Sequence, residues 1–349
     1  MKAPSRLAGE VVDLFCGIGG LSYGLKLAGF DIKAGYDVDR RCKYAYESNN
    51  DASFLEADVA NLSANEVKKH YSGNLPSILA GCAPCQPFST YKRRYGEDPR
   101  WNLVDKFAKL AVQVHPDYIT MENVPSLIKY KKGTIFSSFV NKLKDAGYNV
   151  FWTVAKCEEY GVPQKRRRLV LIASLKKHID SLIPKTKACK TVRNAIGSLP
   201  PLDAGKCSSD DPLHVAAGLS NTNMQRIRSS KPGGTWRDWP KDLRAKCHQK
   251  NTGKSYTGVY ARMSWDEPSP TITTQCYGFG NGRFGHPSQD RAISLREAAI
   301  LQSFPSDYKF LPTGVKPSIT EIGRWIGNAV PVALAEAIGK TIINSTDGE

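Results

Sequence analysis

The sequence predicts an α/β fold: a doubly wound, mostly parallel sheet joined to a second, smaller domain that is rich in loops and β structure. Two observations carry this prediction. Apolar runs of strand length alternate with helical patterns over residues 1–173, and such alternation is typical of a parallel sheet. From about residue 174 to residue 269 the chain is polar and rich in Gly, Pro, Lys and Trp, and its apolar residues show no sustained periodicity.

The first domain opens as a β-α-β-α-β unit, and its later strands follow the same alternation. A helix near the C-terminus returns to it, so the domain is expected to be discontinuous. The patterns predict strands at 10–16, 31–36, near 54, and at 75–80, 118–121, 149–154 and 169–173. They predict helices from the glycine turn to Gly29, around 44–46, and at 103–114, 135–146, 295–302 and 333–342.

A glycine-rich turn, 17–20, follows the first strand. Such a turn removes side chains, so that a ligand can approach backbone N–H groups at a helix start. Asp37 lies 20 residues after Gly17, about where a ribose-binding acid sits in dinucleotide folds. The third glycine of G-x-G-x-x-G falls on Ser22. The pattern therefore predicts an adenosine-containing cofactor without separating NAD from S-adenosylmethionine.

Composition limits the class of protein. The 349 residues exceed the size at which one core usually suffices, which favours two domains. A formal charge of +16 favours a polyanionic partner, usually nucleic acid. Nine cysteines, an odd and scattered number, suit a reducing compartment. No apolar run approaches the ~20 residues of a membrane span, and the N-terminus lacks a signal-peptide core.

Cys85 is the candidate nucleophile. It lies in the stiff turn Pro84-Cys85-Gln86-Pro87, directly after a buried strand. Glu122 ends the next strand, and ligands in open α/β sheets bind beyond the carboxyl ends of strands. Arg166 and Arg168 are expected to share one strand face, because side chains alternate with a period of two. These four residues form the predicted catalytic constellation.

Seven short motifs in this order make the chain resemble the cytosine-C5 DNA methyltransferases along most of its length. Each motif is weak alone, but their order and spacing are highly specific. They are Asp13-Leu14-Phe15-Cys16-Gly17-Ile18-Gly19-Gly20, Pro84-Cys85-Gln86, Glu122-Asn123-Val124, Gln164-x-Arg166-x-Arg168, Pro270-Thr271-Ile272-Thr273-Thr274, Arg296-Glu297 with Leu301-Gln302-x-Phe304-Pro305, and Gly327-Asn328-Ala329-Val330-Pro331.

The resemblance implies a Rossmann-like, S-adenosylmethionine-dependent methyltransferase. Its catalytic domain would comprise 1–173 and 317–349, its target-recognition domain 174–269, and a hinge or returning segment 270–316. Cys85 would be the nucleophile, with Glu122, Arg166 and Arg168 holding the base. The cofactor site would be lined by Phe15, Gly17, Ile18, Asp37, Val38, Asp58, Pro84, Leu103 and Asn328. DNA contacts are expected from Gln86, Ser89, Lys92, Arg93, Arg94, Arg100 and Arg237.

The implied chemistry is covalent catalysis on cytosine. A thiolate adds to C6 and makes C5 nucleophilic, a carboxyl relieves charge at N3, and an arginine pair donates to O2. The base must be flipped out of the duplex, at a cost of about a few kcal/mol. The implied partners are S-adenosylmethionine, its product S-adenosylhomocysteine, and double-stranded DNA. The protein is expected to be a cytoplasmic, nucleoid-associated monomer of prokaryotic type, without a metal or a membrane anchor, and a cognate restriction endonuclease is a candidate genetic partner.

The sequence departs from the family pattern at two places. The common nucleophile motif is Gly-Gly-Pro-Pro-Cys-Gln, whereas Cys82 and Ala83 replace its second Gly and first Pro. The usual acid after the second strand is Glu. Here Asp37 is one methylene shorter, which leaves either Asp37 or Asp39 as the ribose partner.

Four alternatives remain to be weighed. Cys82 and Cys85 match a C-x-x-C redox motif, but that would leave Glu122 and the arginine pair unexplained. A zinc site would need a further ligand pair at close spacing. An RNA methyltransferase of the related transfer-RNA branch would have Cys-Phe-Thr where Pro125-Ser126-Leu127 stands. A DNA-binding scaffold without catalysis would not need both Cys85 and Glu122.

Overall fold

The computed structural model describes residues 7–84, 99–183 and 188–347. The chain divides into two compact units. The first comprises Met1–Tyr160, Arg167–Thr186 and Val330–Glu349, and the second comprises Gly161–Arg166 and Lys187–Ala329.

The strands of the described residues lie in the first unit. They are β1 (Glu10–Leu14), β2 (Asp31–Asp37), β3 (Ser53–Glu56), β4 (Ser77–Gly81), β5 (Tyr118–Asn123), β6 (Asn149–Lys156), β7 (Arg167–Ser174), β8 (Lys177–His178) and β9 (Thr346–Asp347). The helices are, in chain order, α1 (Gly20–Ala28), α2 (Lys43–Asn50), α3 (Ala64–Lys68), α4 (Asn102–Val114), α5 (Thr134–Asp145), α6 (Val192–Ile196), α7 (Asn221–Arg228), α8 (Lys246–Gln249), α9 (Leu295–Leu301), α10 (Ile319–Asn328) and α11 (Val332–Ile343).

Among the described residues the first unit contains a seven-stranded sheet with strand order β3-β2-β1-β4-β5-β7-β6. β7 runs antiparallel to both of its neighbours, and the other pairs are parallel. The predicted doubly wound, mostly parallel sheet is confirmed. The winding changes direction between β1 and β4, so the loops after these two strands border the crevice where such sheets bind ligands.

The buried residues of these strands and helices explain how they pack. All five residues of β1 are buried, as expected for a strand that is covered on both faces. α4 directs Val104, Phe107 and Ala111 into the core beneath the sheet. α1 packs so tightly on α11 that a Cβ at Gly24 would lie 2.4 Å from the Cβ of Ala335. Glycine is required at that crossing because no side chain fits.

The second unit is organised around aromatic side chains instead of a sheet. Trp236, Trp239 and Phe279 form its buried cluster together with two smaller apolar residues. The predicted loop-rich character is confirmed, but in the described part of this unit β structure is limited to isolated bridges, such as that between Arg262 and Gly285. The expected strands do not form because aromatic packing and side-chain hydrogen bonds hold the loops.

A buried ion pair lies in the same unit. Arg291 donates from Nη1 and Nη2 to the two carboxylate oxygens of Glu297, at 2.7 Å each. Both side chains are almost fully buried. Arg291 lowers the pKa of the Glu297 carboxyl against the opposing effect of burial, while burial lowers the pKa of the neighbouring His286 to about 4. A charged, paired Glu297 therefore accompanies a neutral His286.

The bounds of the units differ from the predicted domains. The second unit extends through 270–329, which includes the segment predicted as a hinge and the first part of the predicted C-terminal return. The reason lies at Gly327 in α10, where a Cβ would lie 2.2 Å from the carbonyl carbon of Thr273. α10 also packs on α9. Of the predicted C-terminal return, 317–349, only the residues from Val330 onward belong to the first unit.

One stretch among the described residues, Ile319–Ile343, is long and apolar enough to cross a membrane by length and composition alone. It contains α10 and α11, and 67% of its apolar window is buried within the protein. Buried core helices share this composition.

Candidate active site

The loops after β1 and β4 meet at the switch point of the sheet. The N–H of Cys16 donates to the carbonyl of Tyr36 at 3.1 Å, which fixes the start of the glycine turn against β2. The N–H of Cys82 donates to the carbonyl of Leu14 at 3.2 Å. The segment that leads to Cys85 is therefore held beside the glycine turn as far as Pro84, where the described residues pause.

Asp37 closes the glycine turn from the side. Its Oδ2 accepts a hydrogen bond from the N–H of Gly17 at 2.9 Å, and its Oδ1 accepts one from the N–H of Asp39 at 2.9 Å. Burial raises the pKa of the Asp37 carboxyl, although both amides oppose the shift. Gly17 has φ +51° and a Cβ there would meet nothing within 4 Å, so open space lies in front of the turn. Open space at Gly17, next to the Asp37 carboxylate, fits the adenosine-type ligand that the sequence predicts.

Asp39 is engaged elsewhere. Its two carboxylate oxygens accept from the guanidinium of Arg41, at 2.7 Å from Nε and 3.0 Å from Nη2. Of the two acids that the sequence left open as the ribose partner, Asp37 is the one in contact with the glycine turn.

The other predicted cofactor residues of the first unit lie on loops that follow its strands, except Leu103, which lies in the first turn of α4. Val38 directly follows Asp37 and is 66% exposed, an unusual exposure for an aliphatic side chain. Asp58 is exposed, and its Oδ1 caps the turn after β3 by accepting from the N–H of Ala60 at 2.9 Å. Phe15, Pro84 and Leu103 are half-buried, and Ile18 is buried. Asn328 is exposed at the end of α10 in the second unit.

Asp13 is a buried acid beneath the glycine turn that the sequence placed only in a motif. Its Oδ2 accepts from the hydroxyl of Ser22 at 2.7 Å, and that hydroxyl lies 3.1 Å from the hydroxyl of Tyr46. Its Oδ1 has no hydrogen-bond partner among the described residues. Burial raises the pKa of Asp13 from an ordinary value of 3.8 to about 7, more than the Ser22 hydrogen bond lowers it.

Asp13 should therefore make stability depend on pH in an unusual direction. Between the two pKa values the folded protein keeps a proton that the unfolded chain releases, so this contribution is largest in acid and is lost as the pH rises towards 7. Relative to Asp13→Asn, the wild type should lose roughly 2–3 kcal/mol of unfolding free energy between about pH 5 and pH 8. Urea denaturation of both proteins at the two pH values measures it. Parallel pH profiles for the two proteins would contradict the assignment.

Glu122 is the buried carboxyl at the carboxyl end of β5. Its side chain is 3% exposed, and its Oε1 lies 2.8 Å from Nε of Arg168. This is an ion-pair contact rather than a directed hydrogen bond, because no donor among the described residues is aligned with Oε1. Its Oε2 accepts from the thiol of Cys82 at 3.0 Å. Of the predicted catalytic residues, the structure therefore brings Glu122 and Arg168 into contact.

Asn123 links the end of β5 to the approach to Cys85. Its side-chain Nδ2 donates to the carbonyl of Ala83 at 2.9 Å, and its Oδ1 accepts from the N–H of Val124. Asn123 is completely buried. The strand that presents Glu122 thus also fixes the backbone two residues before Cys85.

Arg166 lies in the second unit and precedes β7 instead of belonging to it. It is 2% exposed. Its Nη1 donates to the carbonyl of Ile272 at 2.8 Å and its Nη2 to the carbonyl of Gly327 at 3.2 Å. The two arginines are therefore not both strand residues as predicted, because β7 begins at Arg167. Arg166 joins two of the motif segments, whereas Arg168 contacts Glu122.

Several predicted residues fall outside the description. The candidate nucleophile and five predicted DNA contacts lie outside the described residues; they are Cys85, Gln86, Ser89, Lys92, Arg93 and Arg94. Arg100 is exposed in the turn Pro99–Trp101. Arg237 is exposed in the second unit, and its Nη2 donates to the carbonyl of Lys254 at 2.9 Å. Within the ranges 7–84, 99–183 and 188–347, no group of three or more His, Cys, Asp or Glu side chains could hold a metal ion.

Sequence reasoning missed the contacts of three residues. Asp13 and Asn123 were visible only as members of motifs, and Cys82 was visible as a substitution in a turn and as half of a C-x-x-C pattern. A signal for the first existed, since an acid inside an apolar strand demands a partner. No sequence signal pairs Cys82 with Glu122, because 40 residues separate them.

Comparison with known proteins identifies the relatives of this chain. The sequence model of the C-5 cytosine-specific DNA methylase family matches residues 9–344. The Type II methylase M.HgiDII of Herpetosiphon aurantiacus is 48% identical over 345 residues, covering 98% of this chain and 97% of that protein. The Type II methyltransferase M.Eco47II of Escherichia coli is 32% identical, covering 97% of this chain and 79% of that protein.

Similarity to solved structures supports the same fold. A DNA modification methyltransferase encoded within a prophage of E. coli superimposes with a TM-score of 0.75 at 24% sequence identity. The match covers 97% of this chain and 99% of that one. At that identity the likeness establishes the fold, and it confirms the predicted methyltransferase architecture.

Proposed function

The chain belongs to the C-5 cytosine-specific DNA methylase family, and from this we propose that Cys85 attacks a flipped-out cytosine while S-adenosyl-L-methionine is bound. Membership itself makes the protein a DNA (cytosine-5) methyltransferase whose substrate is double-stranded DNA. The cofactor, the covalent Cys85–C6 adduct and base flipping are the further content of the proposal.

The crevice at the switch point fits this cofactor. Asp37 would accept from ribose hydroxyls, and the exposed Val38 would offer an apolar surface to an adenine ring. Asp58 would accept from the adenine amino group, and the buried Oδ1 of Asp13 lies below the turn as an unused acceptor. Phe15, Gly17, Ile18, Pro84, Leu103 and Asn328 complete the proposed set. When bound, the cofactor supplies a methyl group activated by its sulfonium sulfur.

The observation that carries the proposed mechanism is the buried Glu122, with Cys82 on one carboxyl oxygen and Arg168 beside the other. Cys85 would add as a thiolate to C6 of cytosine, which is covalent catalysis. The C6–S bond would break again when C5 loses its proton, which restores the ring double bond and releases the thiolate. The charge that develops on the ring would be relieved at N3 by a proton or hydrogen bond from Glu122. Arg168 would donate to O2 of the base, as a fixed cation does for developing negative charge.

Arg166 would then act by holding backbone segments in place. Its contacts with the carbonyls of Ile272 and Gly327 tie together two motif segments of the second unit. We assign it a positioning role in place of the base contact that the sequence suggested.

DNA binding would use the basic charge of the chain. The proposed contacts are Gln86, Ser89, Lys92, Arg93 and Arg94 near the nucleophile, Arg100 beyond them, and Arg237 in the second unit. A net charge of +16 supports a phosphate-binding surface. We further propose a monomeric, cytoplasmic enzyme of prokaryotic type that needs no metal, and a restriction endonuclease as its genetic but not physical partner.

Methyl transfer from labelled S-adenosylmethionine tests the proposal. The protein is incubated with genomic DNA from a host without cytosine methylation, with the same DNA after saturating methylation by this enzyme, and with transfer RNA. Label should enter only the first substrate and should be recovered as 5-methylcytosine after hydrolysis. Mapping of 5-methylcytosine in a host that expresses the protein then gives the target sequence. Label in RNA and none in DNA would overturn the DNA assignment.

A further inference from the structure

Cys82 contacts the catalytic carboxyl although it is not part of the proposed chemistry. It directly follows β4, is half-buried, and has its backbone fixed by the hydrogen bond to Leu14. Its thiol donates to Oε2 of Glu122 at 3.0 Å. The common form of the nucleophile motif has glycine at this position, so this contact is a feature of the present chain.

Because Glu122 is buried, its hydrogen bond with Cys82 is difficult to replace. The side chain of Glu122 is 3% exposed, so water cannot replace a lost hydrogen bond freely. Arg168 forms an ion pair with Oε1, but its N–H group is not aligned for a hydrogen bond to that oxygen. The thiol of Cys82 is therefore the directed donor that the described residues supply to this carboxyl.

We propose that Cys82 is a positioning residue that orients Glu122 for its contact with the cytosine ring. By occupying Oε2, the thiol fixes rotation of the carboxyl group and keeps Oε1 on the side of Arg168, where the base would bind. Cys82 keeps its own proton throughout, and the proton delivered to N3 belongs to Glu122. This inference rests on the proposed function, because it assumes that Glu122 acts on the base.

Three variants separate orientation from packing. Cys82→Ala removes the donor, Cys82→Ser keeps a donor in nearly the same place, and Cys82→Gly restores the residue of the common motif. In single-turnover methyl transfer to DNA carrying the mapped site, Cys82→Ala and Cys82→Gly should be slowed about tenfold, in line with loss of a hydrogen bond to a charged group. Cys82→Ser should stay within about threefold of wild type. The KM values for DNA and S-adenosylmethionine should not change.

A double-mutant cycle with Glu122→Gln tests whether Cys82 acts through Glu122. If it does, Cys82→Ala should add almost nothing to the loss caused by Glu122→Gln. Thermal melting of each variant identifies those that fail to fold, and if Cys82→Ala does not fold, the comparison of Cys82→Ser with Cys82→Gly carries the test.

The outcomes distinguish this inference from the proposed function. Absence of transfer by the wild type would remove the proposed function and this inference with it. An active wild type with an equally fast Cys82→Ala would overturn only the role of Cys82. Equally slow Ala and Ser variants, or losses that add fully in the cycle, would also overturn that role and leave the proposed function intact.

Discussion

Cys85→Ser should abolish methyl transfer while S-adenosylmethionine binding persists. A serine hydroxyl is almost isosteric with the thiol but ionises far less readily, so the attacking anion is not available near neutral pH. The loss should exceed about a thousandfold, which is typical when a nucleophile is removed. Single-turnover transfer to DNA measures the rate, and equilibrium dialysis with labelled cofactor measures binding.

A trapping experiment shows whether the lost step is covalent. DNA with fluorine at C5 of the target cytosine cannot release a proton from C5 after methylation, so the enzyme should remain attached to it. The wild type should then migrate as a protein–DNA complex under denaturing conditions, and Cys85→Ser should not. Cys82→Ser is the matched control, because it changes a cysteine three residues away that is proposed only to orient Glu122. Substantial turnover by Cys85→Ser would assign the attack to another residue.

The sheet and its glycine turn could be predicted from sequence because their signals are local. Each strand from β1 to β7 overlaps a strand predicted from the sequence. α1 ends at Ala28 and is capped by Gly29, whose φ of +108° explains the predicted stop. α10 was not predicted. Its sequence did carry a signal, because Ile322, Trp325 and Ile326 lie at helical spacing and are buried in the structure, where α10 packs on α9.

The second unit could be predicted only in outline. Its loops carry no periodicity because they are held by contacts distant in sequence. Arg262, for example, donates to the carbonyls of Ile227 and His286, which lie 35 and 24 residues away. Basic and aromatic residues in such a segment predicted nucleic-acid contact, but one of them, Arg237, also serves a structural hydrogen bond to Lys254.

The arginine pair shows the same limit within the site. Period-two alternation places Arg166 and Arg168 on one face only if both belong to the strand, and β7 begins at Arg167. Arg166 contacts backbone carbonyls, whereas Arg168 contacts Glu122. Spacing alone does not distinguish an arginine that holds the backbone from one that faces a carboxylate.

Glu122→Gln should lower the rate of methyl transfer by about 10²–10⁴-fold, the usual contribution of a general acid or base. Glutamine keeps the shape of the side chain and can still accept from Cys82, but it cannot ionise, so it can neither exchange a proton with N3 nor pair as an anion with Arg168. Binding of DNA and of S-adenosylmethionine should stay within about threefold of wild type, since neither contact with the cofactor nor phosphate binding is assigned to Glu122.

Stability decides how that loss is interpreted. Removing the charge of Glu122 leaves Arg168 without its anionic partner, but the side chain of Arg168 is 13% exposed and water can reach it. The melting temperature should therefore fall by only a few degrees, about what 1–2 kcal/mol produces in a protein of this size. Glu336→Gln, which removes a glutamate from a surface pair with Lys340 in α11, is the matched control and should leave the rate unchanged. If Glu122→Gln keeps the wild-type rate, the carboxyl at the end of β5 is structural, and relief of charge at N3 must come from another group.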